Sequence, residues 1–286
     1  MFNVQIKSML SDIVLVVSIA GIMTSCNNEA RYNDEAASLI KQAQEAIDNR
    51  SFAFAVSLLD SVDNTYPLAL DARREGMHLM AIAREGLTLD EISQADSLSV
   101  VYQIQGDSLA RMLQKVSNPI ENYFVGPGQN IDVHTASGLY ARLMPDGTLY
   151  MVSSLVGRKA NHTSVTVSSN GSSATTATVA YDGEQNDRSS GVEIINYTGV
   201  ECDTIARLIV QNPQAIYTLS FNGSNSVSMT LPEGQKRAIE IIAKYQQALR
   251  DFKRESHRKQ ALEQRLEVIR SQMARTYRDS VASLEE

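Results

Sequence analysis

Acid–base or metal chemistry in this chain would fall first to its four histidines, His78, His134, His162 and His257. None stands at metal-ligand spacing from another, and the chain contains no HExxH or CxxC, so the sequence offers no metal or cofactor site. Serine chemistry is equally sparse. SxxK occurs at Ser38–Lys41 and Ser256–Lys259, on charged helical stretches and without the partner motifs of a serine acyl enzyme, and GxSxG is absent. "GPGQNI" lacks the third glycine and the lysine of a phosphate cradle and reads as a turn. Cys202 would be a nucleophile if a cation lowered its pKa, but Glu201 and Asp203 flank it, so a buried structural thiol is expected. The richest loop is "SSLVGRKANHTS" (153–164), where Arg158, Lys159, Asn161 and His162 gather donors that could hold an anion, a sugar or a peptide carboxylate, or form a solvated turn. A hydrolase would need a pocket joining His162 or His134 to a carboxylate such as Asp132 and to a serine.

The other cysteine carries a different chemistry. The run Ile13–Met23 is 11 residues long and uncharged, whereas a membrane-spanning helix needs about 20. That length suits the apolar region of a signal peptide. It ends in Met23-Thr24-Ser25-Cys26, followed by Asn27, Asn28 and Glu29. This junction resembles the lipobox of bacterial lipoproteins, with Met23 where Leu is usual and Thr24 where Ala or Ser is. The resemblance implies cleavage before Cys26 and acylation of its sulfur and amine. Each buried CH₂ is worth about 0.8 kcal/mol and a single chain holds only marginally, so multiple acylation anchors a protein that crosses no bilayer. Asn27 gives no reason to expect inner-membrane retention, so the resemblance points to the outer membrane, on either face. A plain secretory signal and a membrane-anchor helix are the alternatives.

Asp-Ser/Thr-apolar triplets recur at Asp60-Ser61-Val62, Asp96-Ser97-Leu98, Asp107-Ser108-Leu109, Asp203-Thr204-Ile205 and Asp279-Ser280-Val281. They resemble the O-glycosylation sequon of exported proteins in one group of gut-associated Gram-negative bacteria, which would place glycans on Ser61, Ser97, Ser108, Thr204 and Ser280. Helix caps or surface residues account for the same triplets.

These residues must be held by elements of two kinds. Residues 27–33 read as a polar tether after Cys26. From Asp34, which can cap, Ala37, Ile40, Ala43 and Ile47 recur at helical spacing, and a second helix follows over Phe52–Val62. With Pro67 at its end, this pair resembles one tetratricopeptide repeat: Leu39, Ala43, Ala55, Leu59 and Val62 fall on apolar or small positions, while Gln42 and Ala46 depart from the pattern. Two more helices are expected, near 68–85 and 90–116. Pro119, Gly126, Pro127 and Gly128 then open a β-rich stretch. "GLYARLMPDGTLYMVSSLV" (138–156) predicts a hairpin turning at Asp146-Gly147. Further strands are expected at 164–169, 174–181, 192–197, 215–222 and 226–231, with a helix over 202–213 capped by Asp203. From Glu233 the pattern is helical, and Leu262, Leu266, Ile269, Met273, Tyr277 and Leu284 trace a near-heptad stripe. Residues 233–286 hold 12 Lys/Arg against 9 Asp/Glu, while residues 27–120 hold 8 against 14. The tail therefore either packs back on the acidic helices or pairs with another chain as a coiled coil.

The expected fold class is α+β: signal peptide (1–25), tether (26–33), antiparallel helical domain (34–118), antiparallel β domain (119–232) and long C-terminal helix (233–286). A net charge of −7 disfavours nucleic acid as a partner. The expected protein is an outer-membrane-anchored lipoprotein that binds or scaffolds, with an envelope protein or peptide as partner and no enzymatic activity. An envelope-polymer hydrolase and an assembly subunit pairing through the last helix are the alternatives.

Overall fold

The computed structural model describes residues 27–117 and 122–282, and the architecture is α+β. Contacts divide the chain into two compact units: Met1–Leu87 with Ile269–Glu286, and Thr88–Val268.

In the first unit, α1 (Asn27–Asp48) and α2 (Phe52–Thr65) form an antiparallel hairpin that meets the start of α3 (Leu70–Ala110). Small residues at helical spacing allow the close approach: Ala43 and Ala55 are wholly buried, among Ile40, Leu59, Val62, Leu79 and Ala83. Arg50 reverses the chain between α1 and α2 at φ 57°. The expected tether is part of α1, which already runs from Asn27; Asp34 therefore lies inside the helix rather than capping it. The two helices expected over 68–85 and 90–116 are one, because nothing between them breaks the ladder. Gly86, the weakest former there, is needed: a Cβ at that position would stand 2.4 Å from the Phe52 ring.

The second unit holds the β elements. Beyond α3 the chain enters β1 (Gln114–Ser117) and β2 (Asn122–Val125), then the expected hairpin β3 (Gly138–Leu143) and β4 (Leu149–Val156). β5 (Ser164–Ser169), β6 (Ser172–Thr175), β7 (Asn186–Asp187) and β8 (Val192–Tyr197) follow, then α4 (Val200–Gln211), β9 (Thr218–Asn222), β10 (Val227–Thr230) and α5 (Glu233–Ala282). One antiparallel sheet has the order β1-β2-β3-β4-β8-β7 and the other β10-β9-β5-β6. Their shared core joins Leu139, Met151, Leu155, Val167 and Phe221 to Ile205 and Ile209 of α4 and Ile239 and Ile242 of α5. Tyr140, Val152 and Ile194 fill the opposite face of the larger sheet, so β4 and β8 are covered on both sides. That is why they read as nearly continuous apolar runs.

Three expectations need correction here. The β region begins at Gln114, inside the stretch expected to finish the helical domain. The strand expected over 174–181 stops at Thr175; the chain continues as an irregular strap tied by Val179 N–H to the Thr163 carbonyl (2.9 Å) and by Asn196 N–H to the Gln185 carbonyl (2.8 Å). Asp203 sits within the first turn of α4, whose cap position is Gly199.

Leu262, Leu266 and Ile269 of the stripe on α5 are covered within the chain. In the second unit Leu262 and Leu266 are each 9% exposed, and Lys259 reaches Asp96 (2.5 Å) and Arg265 reaches Glu91 (3.6 Å) on α3. In the first unit Ile269 is buried and Arg270 meets Glu85 at 2.7 Å. Such surface pairs contribute little individually, so the buried stripe is what holds the helix. The side chains of Tyr277 and Leu284 lie outside the described residues. No described helix is long and apolar enough to cross a membrane.

Candidate functional site

The chemically suggestive residues converge in the second unit, around His162. Side chains alternate along a strand, so odd-numbered residues of β4 and β8 share the face turned to the main core. Ser153 pairs with Ile195, which puts Ser153 and Glu193 on a diagonal of neighbouring strands, about 7–8 Å apart at the backbone. An imidazole fits that gap. His162 Nε2 lies 2.8 Å from Ser153 Oγ and Nδ1 lies 2.8 Å from Glu193 Oε2. The carboxylate can only accept, so Nδ1 carries the proton and Nε2 accepts from the serine hydroxyl. The Tyr197 hydroxyl stands 3.3 Å from Ser153 Oγ, and the Phe221 ring meets the imidazole edge-on at 5.1 Å.

Glu193 also gathers the loop that delivers the histidine. Its Oε1 accepts from the amides of Ala160 (3.1 Å) and Asn161 (2.9 Å), and its Oε2 from that of His162 (3.2 Å). Asn161 adopts φ 50°, which turns successive amides toward one anion. Arg188 closes the outside, donating to the His162 carbonyl (3.0 Å) while its guanidinium lies 3.6 Å over the Tyr181 ring. Burial pushes the His162 pKa down, and the Glu193 carboxylate offsets this only in part, so the imidazole is neutral. Burial alone would raise Glu193; the bonds from the His162 ring and the Asn161 and His162 amides outweigh it and hold the carboxyl below its ordinary value.

Serine, imidazole and carboxylate in this order form the relay of an acyl-transfer triad, with the base poised to take the serine proton. Access is what it lacks. Ser153 and His162 are 0% exposed, and Ser153 sits in mid-strand between Leu139 and Ile195. No substrate carbonyl reaches Oγ in this conformation. The relay ties β4, β8 and the 157–163 loop together, as a fully bonded polar lock inside an apolar core.

The expected ligand loop is therefore divided. Arg158 and Lys159 face solvent, Asn161 donates to Ser224 Oγ (2.9 Å), and His162 points inward rather than joining them, because Glu193 draws it in. His134 and Asp132 do not join the relay; the His134 amide closes a local turn on Asp132 Oδ1 (2.9 Å). Cys202 is wholly buried, and burial first, then Asp203 and Glu201, push its thiol up to about 12. Ser61, Ser97, Ser108 and Thr204 are all exposed on helices, while the Ser280 side chain and Cys26 lie outside the described residues. Sequence reasoning missed Ser153 and Glu193. A signal existed for Glu193, a lone carboxylate in the apolar run "VEIINY", which has to be bonded if buried.

Of the clefts in the second unit, two bear on binding. One of about 230 Å³ lies under the 177–185 strap and touches Tyr197. The other, about 420 Å³, runs between α4 and α5. No group of His, Cys, Asp and Glu among the described residues could hold a metal ion. No family model, curated protein or solved structure matches the chain.

Proposed function

We propose that this chain is a lipid-anchored component of a Gram-negative outer membrane that works by binding or scaffolding. The observation that carries the reading is the junction at Cys26. An apolar run too short to span a bilayer closes just before it, and the polar residues Asn27, Asn28 and Glu29 follow it. Val100, Val101 and Ile104, 48%, 56% and 61% exposed on α3, are surface that a protein or peptide partner would cover. The Cys26→Ala variant tests the anchor: it is expected in the soluble fraction without acyl chains, and membrane pelleting of that variant would contradict the reading.

A second reading draws on the Ser153–His162–Glu193 geometry: an envelope-polymer hydrolase whose strap must move to admit substrate. A fluorophosphonate labelling Ser153 in the native protein would favour it.

A further inference from the structure

We propose that the cleft between α4 and α5 binds a small amphipathic monocarboxylate, held by Arg207 and Arg250. Its volume of about 420 Å³ lies within the range of small-molecule sites, about 300–1,000 Å³. The floor is made of small side chains. Ala206 and Ala248 are each 2% exposed, and Ala243 is half-buried, which leaves an apolar trough where larger residues would close the helices together.

The charges on the rim are unevenly matched. Lys244 pairs with Glu240 at 2.5 Å, and Asp251 with Arg254 at 2.5 Å, a guanidinium it shares with Glu255 (3.0 Å). The Arg250 guanidinium bonds only the neutral Gln247 amide oxygen (3.1 Å), and Arg207 makes no hydrogen bond or ion pair among the described residues. Two guanidinium groups without an ion-pair partner among the described residues thus face one cleft that Lys244 also lines, against the carboxylates of Asp203 and Asp251, in a protein of net charge −7. The local excess is cationic against the overall balance. Arginine presents a planar fork that matches a carboxylate or a phosphate. Asp203, one turn before Arg207 on α4, repels a dianion more than a monoanion, which selects the carboxylate. The trough then takes a short aliphatic body.

The assignment deepens the binding reading by giving it a ligand class, yet it does not need the lipid anchor. Failure of Cys26 acylation and failure of the cleft are read in different experiments. The test is titration calorimetry on the detergent-solubilised full chain with hexanoate, hexyl phosphate, hexan-1-ol and hexylamine. Hexanoate is expected to bind saturably, more tightly than hexyl phosphate, with no saturable signal from the alcohol or the amine. Arg207→Ala, at an exposed position, is expected to weaken hexanoate about tenfold or more. Ala243→Phe, which fills the trough, is expected to abolish binding. Hexanol binding as well as hexanoate would reduce the site to an apolar groove, and tighter hexyl phosphate would make it a phosphate site. Unchanged affinity in Arg207→Ala, or no saturable binding in the millimolar range, would equally overturn the proposal.

Discussion

Glu193→Gln is the most informative single change. The carboxylate accepts four hydrogen bonds, three from loop amides and one from the His162 ring. A glutamine keeps one acceptor oxygen and turns an NH₂ group toward two donors, leaving buried N–H groups unpaired. Bonds to a charged acceptor contribute about 1.5–3 kcal/mol each but do not add, and each buried donor left unpaired costs about 1–3 kcal/mol, so two of them cost about 2–6 kcal/mol. A loss of that size, with a urea slope of about 2 kcal/mol/M, shifts the midpoint by about 1–3 M. Cys202 supplies the assay. It is wholly buried in the same unit, and in a Cys26→Ala background it is the only thiol, so pulse labelling in urea reports unfolding of this unit alone. The pH profile follows from the two depressed pKa values. Folded His162 titrates below its ordinary 6.5, so the unfolded chain takes the proton first. Stability present above 6.5 is lost as pH falls through the folded value, and Glu193 adds a second loss below its ordinary 4.5. That second loss is expected to vanish in Glu193→Gln. A midpoint within about 0.3 M of the parent would refute the lock, since it corresponds to well under 1 kcal/mol.

Ser153→Ala leaves His162 Nε2 buried without a donor and is expected to cost about 1–3 kcal/mol in the same labelling assay. Native protein is expected to resist fluorophosphonate at Ser153. Gly234→Ala would bring a Cβ to 1.9 Å from the Gly128 carbonyl, backbone against backbone, and about 1–3 kcal/mol or more of destabilisation is expected in urea. Leu266→Ala is expected to cost about 2–3 kcal/mol by thermal unfolding, with the chain monomeric by light scattering; a loss seen only on dilution would instead indicate a second chain on the α5 stripe. The Cys202 thiol, pushed up to about 12 and buried, is expected to ignore maleimide at pH 8 until the unit unfolds.

Local pattern was legible where local rules decide the outcome. The Asp146-Gly147 turn fixed the β3–β4 hairpin: Gly147 takes φ 90° and Asp146 Oδ1 accepts the Thr148 amide at 2.8 Å. The alanines of α1 and α2 marked their contact, and the stripe on α5 marked its buried face. Long-range closure was not legible. The α3 helix runs on through Gly86, beside which Phe52 leaves no room for a Cβ. The run after Thr175 has strand-forming composition but joins no ladder and continues as a strap. His162 read as a loop donor because its two partners lie 9 and 31 residues away, on strands whose register the sequence does not state. The pairing of Leu155 with Glu193 sets that register.

Intact-mass spectrometry of protein from native membranes bears most directly on the anchored-binder account. A chain starting at residue 26, heavier than its sequence mass by acyl chains on the first residue, is the expected result. Retention of residues 1–25, or an unmodified sulfur at the mature start, would contradict it.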